Sequence, residues 1–260
     1  MRAKAFLFAF LAAFLLWACA TSPLGRKQLI LVPEDQLDQA GRQAFAQEMK
    51  RKPTVQDPAL NRYVRCVADA VLRSNSIPGK WQVAVFDAPK TVNAFAVPGG
   101  RIGVYSGILK VANTQDKLAA VLSHEIGHVL ARHAAERISE EMAVNAALNI
   151  ASAAAGLEGA SGQRIMSLMG LGAQVGVLLP FSRTHEAEAD RIGLRLMAKA
   201  GFNPRAAVSL WRAMAAQDGK KLEFLSTHPS DERRIQTIEA DLPQVMPIFE
   251  AAQSRPRCGP

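Results

Sequence analysis

Five consecutive residues, His124-Glu125-Ile126-Gly127-His128, follow the pattern His-Glu-x-x-His. On an α-helix, side chains four residues apart lie on one face, so the rings of His124 and His128 can bind one zinc ion. Glu125 can then reach a water molecule on that ion and act as a general base. The spacing therefore predicts a catalytic zinc site, and with it a peptidase that uses water to hydrolyse peptide bonds.

The segment around this pattern has the properties of a helix. From Gln115 to Arg137 the apolar residues recur at helical spacing, and no proline interrupts them. Gly127 is the only weak helix former near the centre. We expect Gly127 to let another backbone approach this helix closely.

A catalytic zinc ion needs a third protein ligand, and a second helix can supply it. This helix is predicted to follow Pro180, with Ser182 as its N-cap. Glu186 and Asp190 lie four residues apart on one of its faces. Glu186 is the predicted third ligand, and Asp190 is expected to accept the ring N–H of a ligand histidine and so fix its tautomer.

Three neighbouring residues fall off the faces that would meet the metal. Glu188 is two residues from Glu186, so we predict a solvated surface charge. His185 is predicted to be a surface or capping residue. His133, five residues past His128, is expected to make a structural hydrogen bond.

Four segments together resemble a known family: His124 to His133, Ser182 to Asp190, Asn93 to Gly100, and Thr227-His228-Pro229 with Arg234. They are similar to the motifs of the zinc metallopeptidase family that contains the CAAX prenyl protease and HtpX. The soluble bacterial periplasmic branch, the BepA and LoiP type, is the nearest match. The resemblance covers about Asp57 to Asp241.

The resemblance implies a role for each matching residue. It implies one Zn²⁺ per chain on His124, His128 and Glu186, with Glu125 as base and Asp190 behind a ligand. Three further positions match residues that contact substrate or stabilise the transition state: Asn93, His228 and Arg234. His228 is either an oxyanion donor or a removable fourth ligand that keeps the enzyme idle, and a structural histidine that caps the helix near Ser230 is the remaining alternative.

A small β-sheet is expected beside the metal helix. Residues Trp81 to Phe86 alternate in the manner of a strand, and Asn93 to Val97 and Ile102 to Tyr105 flank the turn Pro98-Gly99-Gly100. An exposed edge strand there can pair with an extended peptide through backbone hydrogen bonds, which gives affinity with little sequence preference. The alternative is that this hairpin only covers the core.

The N-terminus has the pattern of a bacterial lipoprotein signal. Met1 to Lys4 is short and basic, and Ala5 to Trp17 is an apolar stretch too short to span a bilayer comfortably. Leu16-Trp17-Ala18-Cys19 resembles a lipobox, which implies cleavage before Cys19 and lipidation of that cysteine. Ala20 then favours the outer membrane. An ordinary secretory signal or an uncleaved anchor is the alternative.

Two cysteines remain, Cys66 and Cys258, and in an oxidising compartment such a pair is a disulfide candidate. Two unpaired thiols are the alternative.

The predicted organisation is a signal peptide over residues 1–18, an N-terminal tether and helix over 19–56, and the peptidase domain over 57–260. At 260 residues and 49% hydrophobic composition, the chain can bury one full core.

The basic surface could favour anionic lipid or acidic partners, but the distribution of its charge argues against a nucleic-acid partner. The net charge is +8, and loss of Arg2 and Lys4 with the signal peptide leaves 8 − 2 = +6. No basic cluster is interleaved with aromatic residues as in nucleic-acid binders.

The segment Asn145 to Pro180 is too interrupted to span a membrane, and helices beside the active site are expected there.

The sequence as a whole predicts a mostly helical α+β, zincin-like domain with a small sheet. The predicted function is a zinc endopeptidase, lipid-anchored in the periplasm, that degrades misfolded or misassembled envelope proteins. The alternative is a chaperone-like assembly factor for outer-membrane proteins that rarely cuts them.

Overall fold

Helices make up most of the structure, a computed structural model that describes residues 19–154, 181–216, 222–229 and 232–259. The helices are α1 (Glu34–Arg51), α2 (Pro58–Ser74), α3 (Gln115–Leu130), α4 (His133–Ala154), α5 (Arg183–Lys199), α6 (Arg205–Ala215), α7 (Glu223–Thr227) and α8 (Glu232–Glu250). The strands are β1 (Cys19–Thr21), β2 (Lys27–Leu29), β3 (Gln82–Phe86), β4 (Ala94–Val97) and β5 (Arg101–Tyr105). The predicted mostly helical α+β class is confirmed.

The predicted signal peptide, residues 1–18, lies outside the described residues. So does most of the segment from Asn145 to Pro180, for which helices beside the active site are predicted. Within the described part of the chain, no helix combines the length and the apolar character that crossing a bilayer requires.

The main sheet has the strand order β3-β5-β4, so β4 lies at one edge. β3 runs parallel to β5, and β4 runs antiparallel to it. Gly99 and Gly100 make the turn between β4 and β5 with φ of 81° and 73°, a region that glycine enters without steric cost. The hairpin expected around this turn is present, and its edge strand packs against α3.

Helix α3 runs through the centre of the core. Thr114 caps its N-terminus by accepting the N–H of Lys117. Leu118, Leu122 and Ile126 are fully buried, and they pack with apolar residues of α2, the main sheet and α5. A helix buried on this many sides is fixed in position, which matters because it carries the His-Glu-x-x-His residues.

The C-terminal tail is joined covalently to α2. A disulfide links Cys66 to Cys258, with 5.7 Å between the Cα atoms. The side chain of Gln115, at the start of α3, holds the same tail, since its Oε1 accepts the N–H of Cys258 at 2.8 Å and its Nε2 donates to the carbonyl of Pro256 at 2.9 Å. The tail is therefore part of the folded domain.

The residues ahead of α2 pack against the domain. β1 and β2 form an antiparallel hairpin, residues 19–29, which we call the N-terminal hairpin. In α1, Gly41 lies so close to the backbone of Pro98 that a Cβ there would overlap the Pro98 carbonyl. The Tyr105 hydroxyl donates to Glu48 of α1 at 2.8 Å. The segment predicted as tether and helix thus lies along the sheet and α4.

Candidate metal centre

Helices α3 and α5 approach each other backbone to backbone at two glycines. A Cβ on Gly127 would lie 2.9 Å from the carbonyl oxygen of Ala189, and a Cβ on Gly193 would lie 3.0 Å from the backbone nitrogen of His124. Only glycine permits such an approach without displacing a helix. The close approach expected at Gly127 is therefore present, and it brings the carboxylates of α5 to the histidines of α3.

Four buried side chains offer ligand atoms that all lie within 4.8 Å of one another: His124, His128, Glu186 and His228. The two Nε2 atoms of His124 and His128 are 3.1 Å apart, and Glu186 Oε1 is 3.4 Å from His128 Nε2. Ligand atoms held about 2.1 Å from a tetrahedral zinc ion lie roughly 3.4 Å from each other. The nitrogen and oxygen donors and their spacing therefore fit zinc.

The ring of His124 is held by Asp190. Its Nδ1 lies 2.9 Å from Asp190 Oδ1, which accepts the ring N–H and leaves Nε2 directed at the ligand cluster. This is the arrangement that the spacing of Glu186 and Asp190 predicts. One helix face thus supplies a candidate ligand and the carboxylate that orients another candidate ligand.

Arg234 of α8 holds both carboxylates of α5. Its Nε and Nη2 donate to Asp190 at 2.7 and 2.9 Å, and its Nη1 lies 2.5 Å from Glu186 Oε2. Its guanidinium lies 3.6 Å from the ring centroid of Trp211. The contacts make Arg234 a residue that positions the ligand carboxylate, while its predicted role at the transition state stays a prediction.

The pKa shifts of the ligand residues suit a metal site. Burial alone would raise the pKa of Glu186, but Arg234 and His228 hold it well below its usual range, so the group is an anion. Burial lowers the pKa of His128, which keeps the ring neutral. Burial opposes a charge on His124, yet Glu186 and Asp190 raise its pKa to about 9. The carboxylates thus favour a positive charge at this point, as a cation would supply.

Glu125 faces both the ligand cluster and the edge strand. The side chain is buried beside the backbone N–H of Ala96 in β4, which favours the charged form of the carboxyl. Its Oε1 lies 3.4 Å from His228 Nε2 and has no hydrogen-bond partner among the described residues. Burial raises the pKa of this carboxyl. One oxygen is thus available to a water molecule beside the metal position.

His228 follows the last residue of α7 and lies inside the cluster, 104 residues after His124 in the sequence. Its Nδ1 is 3.2 Å from His124 Nε2 and 3.0 Å from Glu186 Oε1. The ring stacks on Phe224 and Phe181, with centroids 4.6 and 5.4 Å away. This position is compatible with a fourth ligand, and the roles that the sequence left open stay predictions.

Asn93 lies just before β4 and is buried. Its Nδ2 is 3.3 Å from Glu223 Oε1, and its Oδ1 accepts the N–H of Ala94. These bonds fix the start of the edge strand, and the predicted contact with substrate stays a prediction.

Two expectations about α5 were wrong. Glu188 and His185 were predicted to lie at the surface, but the structure buries both. Glu188 is bonded to Ser22, Arg26 and His133, and His185 Nε2 lies 3.1 Å from Glu136 Oε2. The N-terminal hairpin and α4 cover this face of α5 and neutralise its charges, which helical spacing alone does not reveal.

A small apolar cleft opens beside the site. It lies between α1, the edge strand and the end of α3, and its described lining includes Leu37, Ala44, Val97, His128, Val129 and Phe181. A cleft with this lining suits apolar side chains.

Comparison with known proteins decides the family. The family model described as peptidase family M48 matches residues 57–241. The chain belongs to peptidase family M48. The predicted class, a metallopeptidase, is thereby confirmed, and the family agrees with the His/Glu group at the centre of this M48 domain.

Relatives of this M48 peptidase include mitochondrial metalloendopeptidases and a protease named for beta-barrel assembly. Mitochondrial metalloendopeptidase OMA1 of Schizosaccharomyces pombe is 46% identical over 168 residues, which are 64% of this chain and 48% of the relative. Metalloendopeptidase OMA1 of Bos taurus is 31% identical, over 91% of this chain and 48% of its own length. The beta-barrel assembly-enhancing protease of Yersinia pestis is 30% identical, over 75% of this chain and 41% of its own length.

The comparisons support the family and leave the predicted branch open. The chain spans half or less of the length of these curated relatives. The mitochondrial relatives include the one with 46% identity, so the bacterial periplasmic branch is not established by similarity.

The contact between Gly127 and Ala189 predicts how the M48 site responds to a small side chain. In Gly127→Ala the new Cβ meets the Ala189 carbonyl and separates α3 from α5, so Glu186 moves away from the histidines. We expect zinc affinity to fall by about tenfold or more, the usual cost of disturbing groups that position metal ligands. Competition with a chromophoric chelator measures the affinity.

The larger variant Gly127→Val is the graded control. It should lose more affinity than Gly127→Ala, because its side chain needs more space at the same contact. Zinc affinity equal to that of wild type in both variants would show that the close approach does not position the ligands.

Proposed function

We propose that this M48 peptidase is a zinc-dependent endopeptidase with one zinc ion held by His124, His128 and Glu186. The observation that carries the proposal is the meeting of these three donors, from two helices joined at Gly127 and Gly193, at spacings suited to tetrahedral zinc.

The zinc ion and Glu125 would have separate parts in peptide hydrolysis. When bound, zinc would polarise the scissile carbonyl and lower the pKa of a coordinated water to about 7. Glu125 would take the proton of the attacking water and deliver it to the leaving amine. Its raised pKa suits a group that must both accept and return a proton near neutral pH.

Substrate would bind along the edge strand β4. Among the described residues, β5 is the one main-sheet neighbour of this strand, and the backbone N–H of Ala96 in β4 lies beside Glu125. An extended peptide can add to such an edge through backbone hydrogen bonds. The apolar cleft beside His128 would accept an apolar side chain of that peptide. Unfolded polypeptides expose both features, so they are the substrate class that we propose.

His228 would regulate access to the metal position. With His228 Nδ1 added to the three other donors, four protein ligands surround the centre and leave no position for water, as in structural zinc sites. Movement of His228 away from the cluster would open the fourth position. This contact also favours the second candidate function, an assembly factor that binds outer-membrane proteins and cuts them rarely.

The proposed location is the periplasm, with a lipid on Cys19 as anchor, in the outer membrane. The lipobox-like residues before Cys19 support it, and so does the disulfide between Cys66 and Cys258, because disulfides persist in oxidising compartments. Relatives named beta-barrel assembly-enhancing protease support misfolded or misassembled envelope proteins as substrates.

Glu125→Gln tests the assignment of the general base. The amide keeps the size of the side chain but cannot take a proton, so we expect cleavage of unfolded casein to fall by about 10²- to 10⁴-fold. Zinc content, measured by elemental analysis, should remain one ion per chain. Casein cleavage at the wild-type rate by the purified variant would remove Glu125 from the mechanism.

His228→Ala distinguishes a regulated peptidase from one in which His228 is catalytic. Loss of the fourth ligand should raise the rate of casein cleavage several-fold, while zinc remains bound by the other three donors. The double variant with Glu125→Gln is the control, because it should show no cleavage if the activity belongs to this site. A large loss of activity in His228→Ala would instead identify a catalytic histidine.

Cys19→Ala tests the anchor. In bacteria grown with radioactive palmitate, the wild-type chain should carry label, whereas the variant should carry none. Cys258→Ala serves as the matched control and should keep its label. A wild-type chain without label would contradict lipidation at Cys19.

A further inference from the structure

A chain of buried polar contacts runs from the ligand His128 to the N-terminal hairpin. His128 Nδ1 lies 2.9 Å from His133 Nδ1, and His133 Nε2 lies 3.2 Å from Glu188 Oε2. Arg26 Nε donates to the same oxygen of Glu188 at 2.8 Å. Ser22 donates its hydroxyl proton to Glu188 as well. The sequence alone had placed Glu188 in solvent and had given no role to Ser22 or Arg26.

One arrangement of protons satisfies every link of this chain. If His128 offers the lone pair of Nε2 to a metal, its proton is on Nδ1, so His133 must accept that proton's hydrogen bond with an unprotonated Nδ1. The proton of His133 is then on Nε2, where it is donated to the carboxylate of Glu188. The contact between the two Nδ1 atoms therefore fixes both tautomers.

The surroundings hold His133 and Glu188 in place. His133 is fully buried, and its ring stacks on His185 with centroids 4.5 Å apart. Arg26 also pairs with Glu136 of α4, through contacts of 2.5 and 2.6 Å. Gln28 of the same hairpin donates to Glu136 and to the carbonyl of Ala131, at 2.8 and 2.7 Å. The hairpin is thus bonded both to Glu188 and to the residues that connect α3 with α4.

The two ligand histidines consequently have different support. His124 is held by Asp190 directly, whereas His128 is held by a second imidazole that a carboxylate orients. A carboxylate or carbonyl behind a ligand histidine fixes its ring and raises its basicity. Glu188 can do this only through His133, and only while Arg26 and Ser22 hold it.

We propose that His133 and Glu188 are positioning residues for His128, and that the N-terminal hairpin, through Arg26, is a structural part of the metal centre. This inference rests on the proposed zinc site. It makes zinc affinity depend on a segment only three to seven residues beyond Cys19, outside the 57–241 range of the family match.

His133→Phe is the decisive variant. Phenylalanine fills a similar space but offers no acceptor to His128 Nδ1, so zinc should bind about 10- to 100-fold more weakly in chelator competition. His133→Gln should recover part of the affinity, because its side-chain carbonyl can accept the same hydrogen bond. Rescue of this kind distinguishes positioning from simple packing.

Arg26→Gln tests the contribution of the hairpin. Loss of Arg26 leaves the buried carboxylates Glu136 and Glu188 without their cation, so thermal melting of the metal-free protein checks that the variant still folds. We expect zinc affinity to fall about tenfold. Arg191→Gln is the matched control, since Arg191 pairs with Asp241 at the surface of α5 and should leave zinc affinity unchanged.

The outcomes separate this inference from the proposed function. If wild type binds one zinc ion per chain and both His133→Phe and Arg26→Gln bind it equally tightly, the positioning chain is wrong and the peptidase proposal stands. If wild type binds no zinc, both fail together. If His133→Phe alone is weakened, positioning by His133 holds and the role of the hairpin is overturned.

Discussion

The backbone contact between α3 and α5 is the constraint on which the rest of the site depends. Two helices normally keep their axes 8 to 10 Å apart with side chains between them. Here Gly127 and Gly193 remove those side chains at the crossing, so short carboxylates on α5 reach the rings on α3. Longer side chains at the crossing would push the two helices apart, and the candidate ligand atoms on α3 and α5 would then be too distant to bind one metal ion.

The centre also shows how a buried set of charges is stabilised before any metal is considered. Glu186 and Asp190 are buried carboxylates, and an unpaired charge in such a place would cost several kcal/mol. Arg234 pairs with both, and it is itself covered by Trp211. On the other side of α5, Arg26 does the same for Glu136 and Glu188. Two arginines far apart in sequence thus stabilise opposite faces of one helix.

Local patterns were sufficient to predict the parts of the site that lie on single helices. The spacing of His124 and His128, and that of Glu186 and Asp190, follows directly from the helical period, and the structure brings these four side chains together. The Ser182 cap and the glycine turn between β4 and β5 were predicted from equally local signals. The position of His228 within the cluster could not be chosen from among the alternatives, because it depends on the packing of α7.

The surroundings of Glu188 and His185 escaped prediction for a different reason. Helical spacing shows that they lie off the face of Glu186, but it does not show what covers them. The partner of Glu188, Arg26, is 162 residues away in a hairpin without a periodic pattern. A charged residue that a distant ion pair buries has the same sequence signature as one in solvent. The one available signal was that His133, His185 and Glu188 are all polar groups close to a metal motif.

The bond between Cys66 and Cys258 has a consequence for how the chain responds to proteolysis. It closes a loop of 192 residues that contains α3, α5 and every proposed ligand. A single cut by a protease anywhere inside this loop leaves the two fragments joined by the disulfide. The cut molecule would migrate as one species in non-reducing electrophoresis, and its two fragments would separate only after a thiol reduces the disulfide.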